Sequence, residues 1–142
     1  MEKAASAMQR ELLTDAGKEV AAYLRNVRGY GEDFIEGAAL GYVSKEMADR
    51  LRPLFSYKDS TGAERNSFNR DIGTVYQLAI PYRSAGRLRG FVFRCIDESL
   101  LTKDGKRMGK YVDAFISGKE SKNYHLFGLT GLRLTQARDI TI

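Results

Sequence analysis

The stretch Tyr76–Ile96, YQLAIPYRSAGRLRGFVFRCI, is the longest apolar run in the chain, and it is interrupted once, by a turn. That pattern predicts a β-hairpin. β-Branched and aromatic residues fill both arms, and Ser84-Ala85-Gly86 reads as a three-residue loop whose glycine takes the positive φ such loops need. Tyr76, Leu78, Ile80 and Tyr82 share one face of the first arm, and Phe91, Phe93 and Cys95 share one face of the second, so at least one face is expected to be buried. The opposite faces are also partly apolar. Pro81 lacks an N–H for the ladder, which places it at a strand end or on an edge. Arg83, Arg87, Arg89 and Arg94 fall on this same element. Guanidinium groups anchored on a rigid ribbon suit phosphate, because a planar charged fork matches phosphate oxygens and rigid placement reduces the entropy lost on contact. The structural alternative for each arginine is a solvated polar face.

At 142 residues the chain fits one domain, long enough to bury roughly two-thirds of its unfolded surface without disulfides or metals. Its 43% hydrophobic and 29% charged residues are ordinary for a soluble globular domain, and no apolar run approaches membrane-spanning length. The opening MEKAASAMQR lacks the apolar region of a secretory signal. Cys95 is the single cysteine, which excludes a disulfide framework, a zinc quartet and a redox pair. It reads as a small buried hydrophobe rather than a reactive thiol. A cytoplasmic setting with no membrane partner follows. The net charge of +5 biases the chain toward polyanions without identifying one.

Along the chain, Met1–Val27 reads as helical, with Leu12, Leu13, Ala16, Val20, Tyr23, Leu24 and Val27 on one broad face and Thr14 or Asp15 positioned to cap a second helix. Arg28-Gly29 ends it. A short helix is expected over Glu32–Glu36 and a strand over Ala38–Val43, a reading that Gly41 weakens. Ser44 is placed to cap KEMADRLRPLF, which Pro53 must end or bend. Ser56–Gly73 is polar and reads as a flexible segment around an Asp59–Gly62 turn, and DESLLTKDGKRMGK reads as a second loop rich in lysine and arginine. ARDITI at the end resembles the beginning of a strand.

Several chemistries are missing. His125, the only histidine, has no carboxylate or cysteine at metal-ligand spacing, and reads as a packed or surface imidazole. KDGKRMGK and SGK lack the spacing of a phosphate-cradling loop, which excludes nucleotide hydrolysis on that pattern. The acidic pairs Glu32-Asp33 and Asp97-Glu98 show no partner constellation and read as solvated residues. What remains is an interleaving of basic and aromatic residues: Lys110-Tyr111, Lys119, Lys122 and Tyr124, with Arg83 and Arg94 on the hairpin. That mixture suits single-stranded nucleic acid, where cations track phosphates and rings stack on bases.

Three segments in order resemble the catalytic core of bacterial-type DNA primases, specifically the N-terminal subdomain that precedes the Toprim domain. AAYLRNVRGYGEDFIEGAALGYV resembles the family's opening segment, LAIPYRSAGRLRGFVFR its most characteristic strand–turn–strand run, and GKYVDAFISGKESKNYHLFGL its third motif, in which a lysine follows the KY pair by twelve residues. Together they span Ala21–Leu129. The resemblance implies an α+β fold, with N-terminal helices packed on a small, mainly antiparallel sheet organised around a central β-hairpin. It also implies template-strand contacts from Arg28, Arg83, Arg94, Lys110, Tyr111 and Lys122, lining one basic groove.

Gly109 stands where the family usually has proline, Asp113 where asparagine is common, and Asn123 where glycine follows the lysine. Such departures suit a primase-like protein of a phage, plasmid or mobile element. By the same resemblance, residues 1–142 are the N-terminal subdomain of the catalytic core, truncated at the start of the Toprim domain, and Asp139–Ile142 resembles the first Toprim strand, cut before the catalytic glutamate. The metal-binding carboxylates, with magnesium or manganese, then belong to a Toprim domain of the same polypeptide, and zinc to a separate cysteine-rich module. The expectation is therefore part of a DNA primase, a nucleotidyltransferase making RNA primers in DNA replication. This part holds single-stranded template, has no catalytic residue or metal of its own, and is inactive alone; the parent has a replicative helicase as partner. The rival from another class is a basic module that docks an acidic protein without binding nucleic acid. A third is a complete small enzyme.

Overall fold

The computed structural model describes residues 1–103 and 105–116. Lys119, Lys122, Asn123, Tyr124, His125 and the terminal ARDITI lie outside the described residues. The first helix, α1 (Glu2–Leu12), is built from alanine, glutamate, lysine and other strong helix formers, and buries Met8 and Leu12, one turn apart. The second helix expected beyond Thr14 or Asp15 is present, but neither residue caps it, and Gly17 stands at its N-cap. The chain breaks after Leu12, makes a 3₁₀ turn over Asp15–Gly17, and resumes as α2 (Lys18–Ala22). A Cβ at Gly17 would lie 2.5 Å from the Glu11 carbonyl oxygen, so the chain doubles back tightly on the end of α1. The break changes the phase of the apolar face. Leu13 and Val27, both expected on it, are 71% exposed, while Leu12, Val20 and Leu24 are buried.

After α3 (Glu32–Gly37), the strand expected over Ala38–Val43 shortens to β1 (Gly41–Tyr42). The reason is a helix cap. Ala39 takes the left-handed conformation (φ 53°), its N–H donates to the Glu36 carbonyl at 3.0 Å, and the Leu40 N–H donates to the Ile35 carbonyl at 3.1 Å. Gly41 is a contact glycine: a Cβ there would sit 2.9 Å from Met8 of α1, which crosses directly over it. The Ser44 Oγ accepts from the Met47 N–H at 3.1 Å and caps α4 (Lys45–Leu51), as expected, and a 3₁₀ turn over Arg52–Phe55 carries Pro53.

The polar segment beyond is ordered by a small hairpin, β2 (Ser56–Lys58) against β3 (Glu64–Asn66). Asp59 organises its turn. The carboxylate accepts from the N–H groups of Thr61 and Ala63, the Thr61 hydroxyl and Arg65 Nε, and hydrogen bonding, led by the Thr61 side chain and then Arg65, holds its pKa at about 2. Phe68 and Ile72, in the same polar stretch, are buried.

The central hairpin is β4 (Leu78–Ser84) against β5 (Arg87–Arg94). Its loop has two residues rather than three. Ser84 pairs with Arg87, and Ala85 (φ 54°) and Gly86 (φ 75°) both take positive φ, the backbone of a primed hairpin turn. Glu98–Leu101 forms a 3₁₀ turn, followed by the short pair β6 (Thr102–Lys103) and β7 (Lys106–Arg107) and then β8 (Tyr111–Phe115). One antiparallel sheet runs β1-β4-β5-β8. The short β1 reaches only Leu78 and Ala79, so Pro81 lies on the part of β4 that β1 leaves uncovered. The fold is α+β, and both faces of the sheet are covered. Leu78, Ile80 and Val92 pack on Leu12, Val20, Leu24, Ile35 and Leu40, while Ala79, Phe91, Phe93 and Ala114 pack on Met8, Met47, Leu51, Phe55 and Phe68. No helix among the described residues is long and apolar enough to cross a membrane.

Among the described residues, Ala39 and Ala85 are the two non-glycine residues at positive φ. An L-residue with a Cβ pays roughly 1 kcal/mol in that region. Ala39→Gly and Ala85→Asn, each matching its cap or turn, should raise stability by about 0.5–1 kcal/mol apiece. Urea denaturation reads this as a higher midpoint at unchanged slope; a lower midpoint for either would contradict the assigned turn.

Candidate nucleic-acid interface

The site begins at an irregular helix end. Tyr23–Val27 forms a π turn, in which the Arg28 N–H donates to the Tyr23 carbonyl five residues back at 3.1 Å. That bond sets Tyr23 and Arg28 over one another, a spacing an ordinary α-helix would splay apart. Gly29 (φ 70°) closes the helix, with the Tyr30 N–H on the Leu24 carbonyl at 3.0 Å, as the sequence led one to expect.

Arg94, the last residue of β5, faces this helix end. It lies in register between Leu78 of β4 and Tyr111 of β8, on the sheet face that the helix end covers. The guanidinium carbon sits 5.5 Å from the centre of the Tyr23 ring and 5.0 Å from that of Tyr111, sandwiched between two π faces. One nitrogen, Nη1, donates to the Cys95 carbonyl at 2.6 Å, and the buried Nε makes no hydrogen bond among the described residues. Beside it, Arg28 Nη2 donates to the Tyr30 hydroxyl at 3.3 Å, with the guanidinium 5.7 Å from that ring's centre. Tyr23, Arg28, Arg94, Asp97 and Glu98 border one cleft of about 410 Å³.

The electrostatics follow from partial burial. Burial raises the Tyr23 phenol pKa, against the opposing pull of the Arg94 and Arg28 charges. Burial disfavours the charge on Arg28, but the Tyr30 hydrogen bond and the neighbouring phenols outweigh it and its pKa rises. Arg28 therefore stays cationic while partly shielded from water, which strengthens its attraction for an anion.

Lys110 and Tyr111 arrive together at the start of β8. The Lys110 carbonyl accepts the Cys95 N–H at 3.0 Å, which ties the pair to the residue after Arg94, and Lys110 Nζ lies 2.9 Å from Glu98 Oε1. The Gly109 carbonyl accepts the Tyr76 hydroxyl at 2.7 Å, and Asp113 pairs with Val92 within the sheet. The loop where the sequence departs from the family pattern is thus anchored from both sides.

Four of the six residues named from sequence, Arg28, Arg94, Lys110 and Tyr111, come together. Arg83 does not join them. Alternation along β4 puts it on the opposite face from Leu78, and five residues at about 3.3 Å each separate the two along the strand. It makes a bidentate pair with Glu2 of α1, both contacts 2.8 Å, and that pairing holds the Glu2 carboxyl below its usual range. The single groove wall containing both Arg83 and Arg94 is therefore corrected by strand parity. Lys122 lies outside the described residues. The sequence puts Tyr23 on the broad apolar face of a helix and gives Tyr30 no role; the signal that marks Tyr23 is its five-residue step to Arg28. Among the described residues no three histidine, cysteine or carboxylate side chains are grouped to hold a metal ion.

No family model matches the chain, and no curated protein matches it in sequence. A solved structure described as the DnaG primase catalytic domain bound to ssDNA is similar to it, with a TM-score of 0.49 and 17% identity over 80% of this chain. The chain spans 36% of that chain's length.

Proposed function

We propose that this chain holds single-stranded DNA template in a primase-type enzyme that makes RNA primers on DNA. The observation that carries the reading is convergence of three separate primase-like motifs: Arg28 and Arg94 line one cleft, and Tyr111 and Lys110 join it through the Arg94 guanidinium and Glu98. Arginine forks and a lysine offer donors to successive phosphates, and the flanking tyrosines give bases a surface to stack on. Two rings and a carbonyl fix Arg94 before any ligand arrives, so less side-chain freedom is lost on binding.

In this reading the chain holds the template, and nucleotide transfer, which uses metal ions bound by carboxylates, takes place elsewhere in the enzyme. In the proposed parent enzyme, magnesium or manganese belongs to a Toprim-type domain of the same polypeptide, zinc to a separate module, and a replicative helicase is the partner. Lys122, outside the described residues, remains a template contact only by the resemblance, and Arg83 stands on the other face of the sheet.

Filter-retention binding of the 142-residue chain to oligothymidine over a range of salt tests the reading. Three cleft cations neutralising three phosphates predict a slope of about −2 in log affinity against log salt, at roughly 0.7 per phosphate. A duplex of equal length, which hides its bases, should bind more weakly. Salt-independent retention, or none at low salt, would overturn the assignment.

A further inference from the structure

Glu98 borders the cleft of Arg28 and Arg94 and pairs with two later cations, Arg107 of β7 and Lys110 just before β8. Its Oε1 lies 2.9 Å from Lys110 Nζ and 3.7 Å from Arg107 Nη2. The Lys110 hydrogen bond, followed by the Lys110, Arg107 and Arg94 charges, lowers its pKa, so it is ionised at neutral pH. Its backbone is fixed. Asp97 caps the 3₁₀ turn by accepting from the Ser99 N–H and hydroxyl, and Leu101 at the turn's end is fully buried. The side chain itself is half exposed. The ion pairs of Arg25 with Glu32, Lys45 with Asp49, Arg65 with Asp59 and Arg83 with Glu2 do not border this cleft.

We infer that Glu98 is a built-in competitor for phosphate: in the free protein its carboxylate takes the place beside Lys110 and Arg107 that a backbone phosphate takes when a strand binds. The inference rests on the single-strand reading above and adds how that site is regulated. Binding is then an exchange of anions. Lys110 leaves Glu98 for a phosphate, Glu98 turns to water, and the affinity of the cleft is held below what its cations alone would give. Such restraint suits a surface that must let template slide, because contacts that exchange readily also release readily.

The test is Glu98→Gln, which keeps size and removes charge. An exposed ion pair of this kind limits the gain to about two- to fivefold tighter oligothymidine binding. Glu46→Gln on α4, which packs on the opposite sheet face, makes the same change in net charge and should tighten binding by less. In a Lys110→Met background the Glu98→Gln gain should largely vanish. A gain no larger than that of Glu46→Gln, or one that persists without Lys110, would overturn the competitor role while leaving single-strand binding intact. Inorganic polyphosphate, which has no bases, is titrated in parallel. If no variant retains oligothymidine, the single-strand reading falls, and polyphosphate decides the inference: tighter binding to Glu98→Gln through Lys110 supports it, and equal binding rejects it.

Discussion

Replacing Gly90 with alanine is expected to destabilise the protein by about 3 kcal/mol or more, at the upper end of overpacking effects. Gly90 is buried in β5, opposite Tyr82 on one side and Phe115 on the other. A Cβ there would lie 2.1 Å from the Ala114 carbonyl oxygen and 2.8 Å from both Phe115 Cα and its ring. Two of those atoms are backbone, so no rotamer change relieves the overlap, and β8 must move away from β5. The Phe115 ring, which meets Tyr82 edge-on at 5.6 Å, would lose its seat. Just beyond Gly90 the ladder shifts register between Tyr82 and Arg83, leaving Arg89 as the extra residue. The displaced strand is the one that carries Tyr111, so the damage should reach the cleft. Gly37→Ala is the matched control: nothing lies within 4 Å of its Cβ, and in a helix the change should be neutral or stabilising by up to about 1 kcal/mol. Urea midpoints separate the two, and a Gly90→Ala protein as stable as the wild type would contradict the described β5–β8 register.

The second large effect is on binding. Arg94→Met should weaken oligothymidine binding roughly ten- to a hundredfold, the range for losing hydrogen bonds to a charged group, and should reduce the salt slope by about 0.7. Methionine keeps an unbranched apolar stem between Tyr23 and Tyr111, so the rings retain a packing partner and the thermal midpoint should move little. Arg94→Lys separates charge from shape. Lysine keeps the cation but not the planar fork that stacks between two rings and donates to the Cys95 carbonyl, so the salt slope should persist while affinity still falls. Wild-type affinity in Arg94→Met would remove the arginine from the interface.

Most of the architecture was legible where local chemistry decides it. The hairpin followed from its apolar arms and Gly86, the α4 cap from Ser44, and the helix end from Gly29. The readings that failed depended on contacts between distant segments. Ala85 gives no sign that it takes positive φ, because alanine is an unusual turn residue; pairing of Ser84 with Arg87 imposes it. The AALGYV run looks like a strand until the Ala39 cap and the crossing of α1 over Gly41 are seen. Ser56–Gly73 looks flexible because its order comes from one carboxylate, Asp59, and from two buried apolar residues among polar ones.

The site divides the same way. Motif likeness picked out Arg28, Arg94, Lys110 and Tyr111, and these converge. Arg83 was grouped with Arg94 because both stand on the hairpin, but its place on β4 sends it to the other face, where Glu2 meets it. Parity across a ladder is invisible until the register is known. Tyr23 escaped notice because its value lies in the π turn, and no residue type announces one.

The chain contains eight tyrosines and no tryptophan, so its ultraviolet emission comes from phenol rings. Two of them, Tyr23 and Tyr111, clasp Arg94 from either side. An event that draws that guanidinium away, or slides a nucleobase against either ring, perturbs its own optical reporter. The clasp thus doubles as a label-free probe, native to the polypeptide and needing no attached dye.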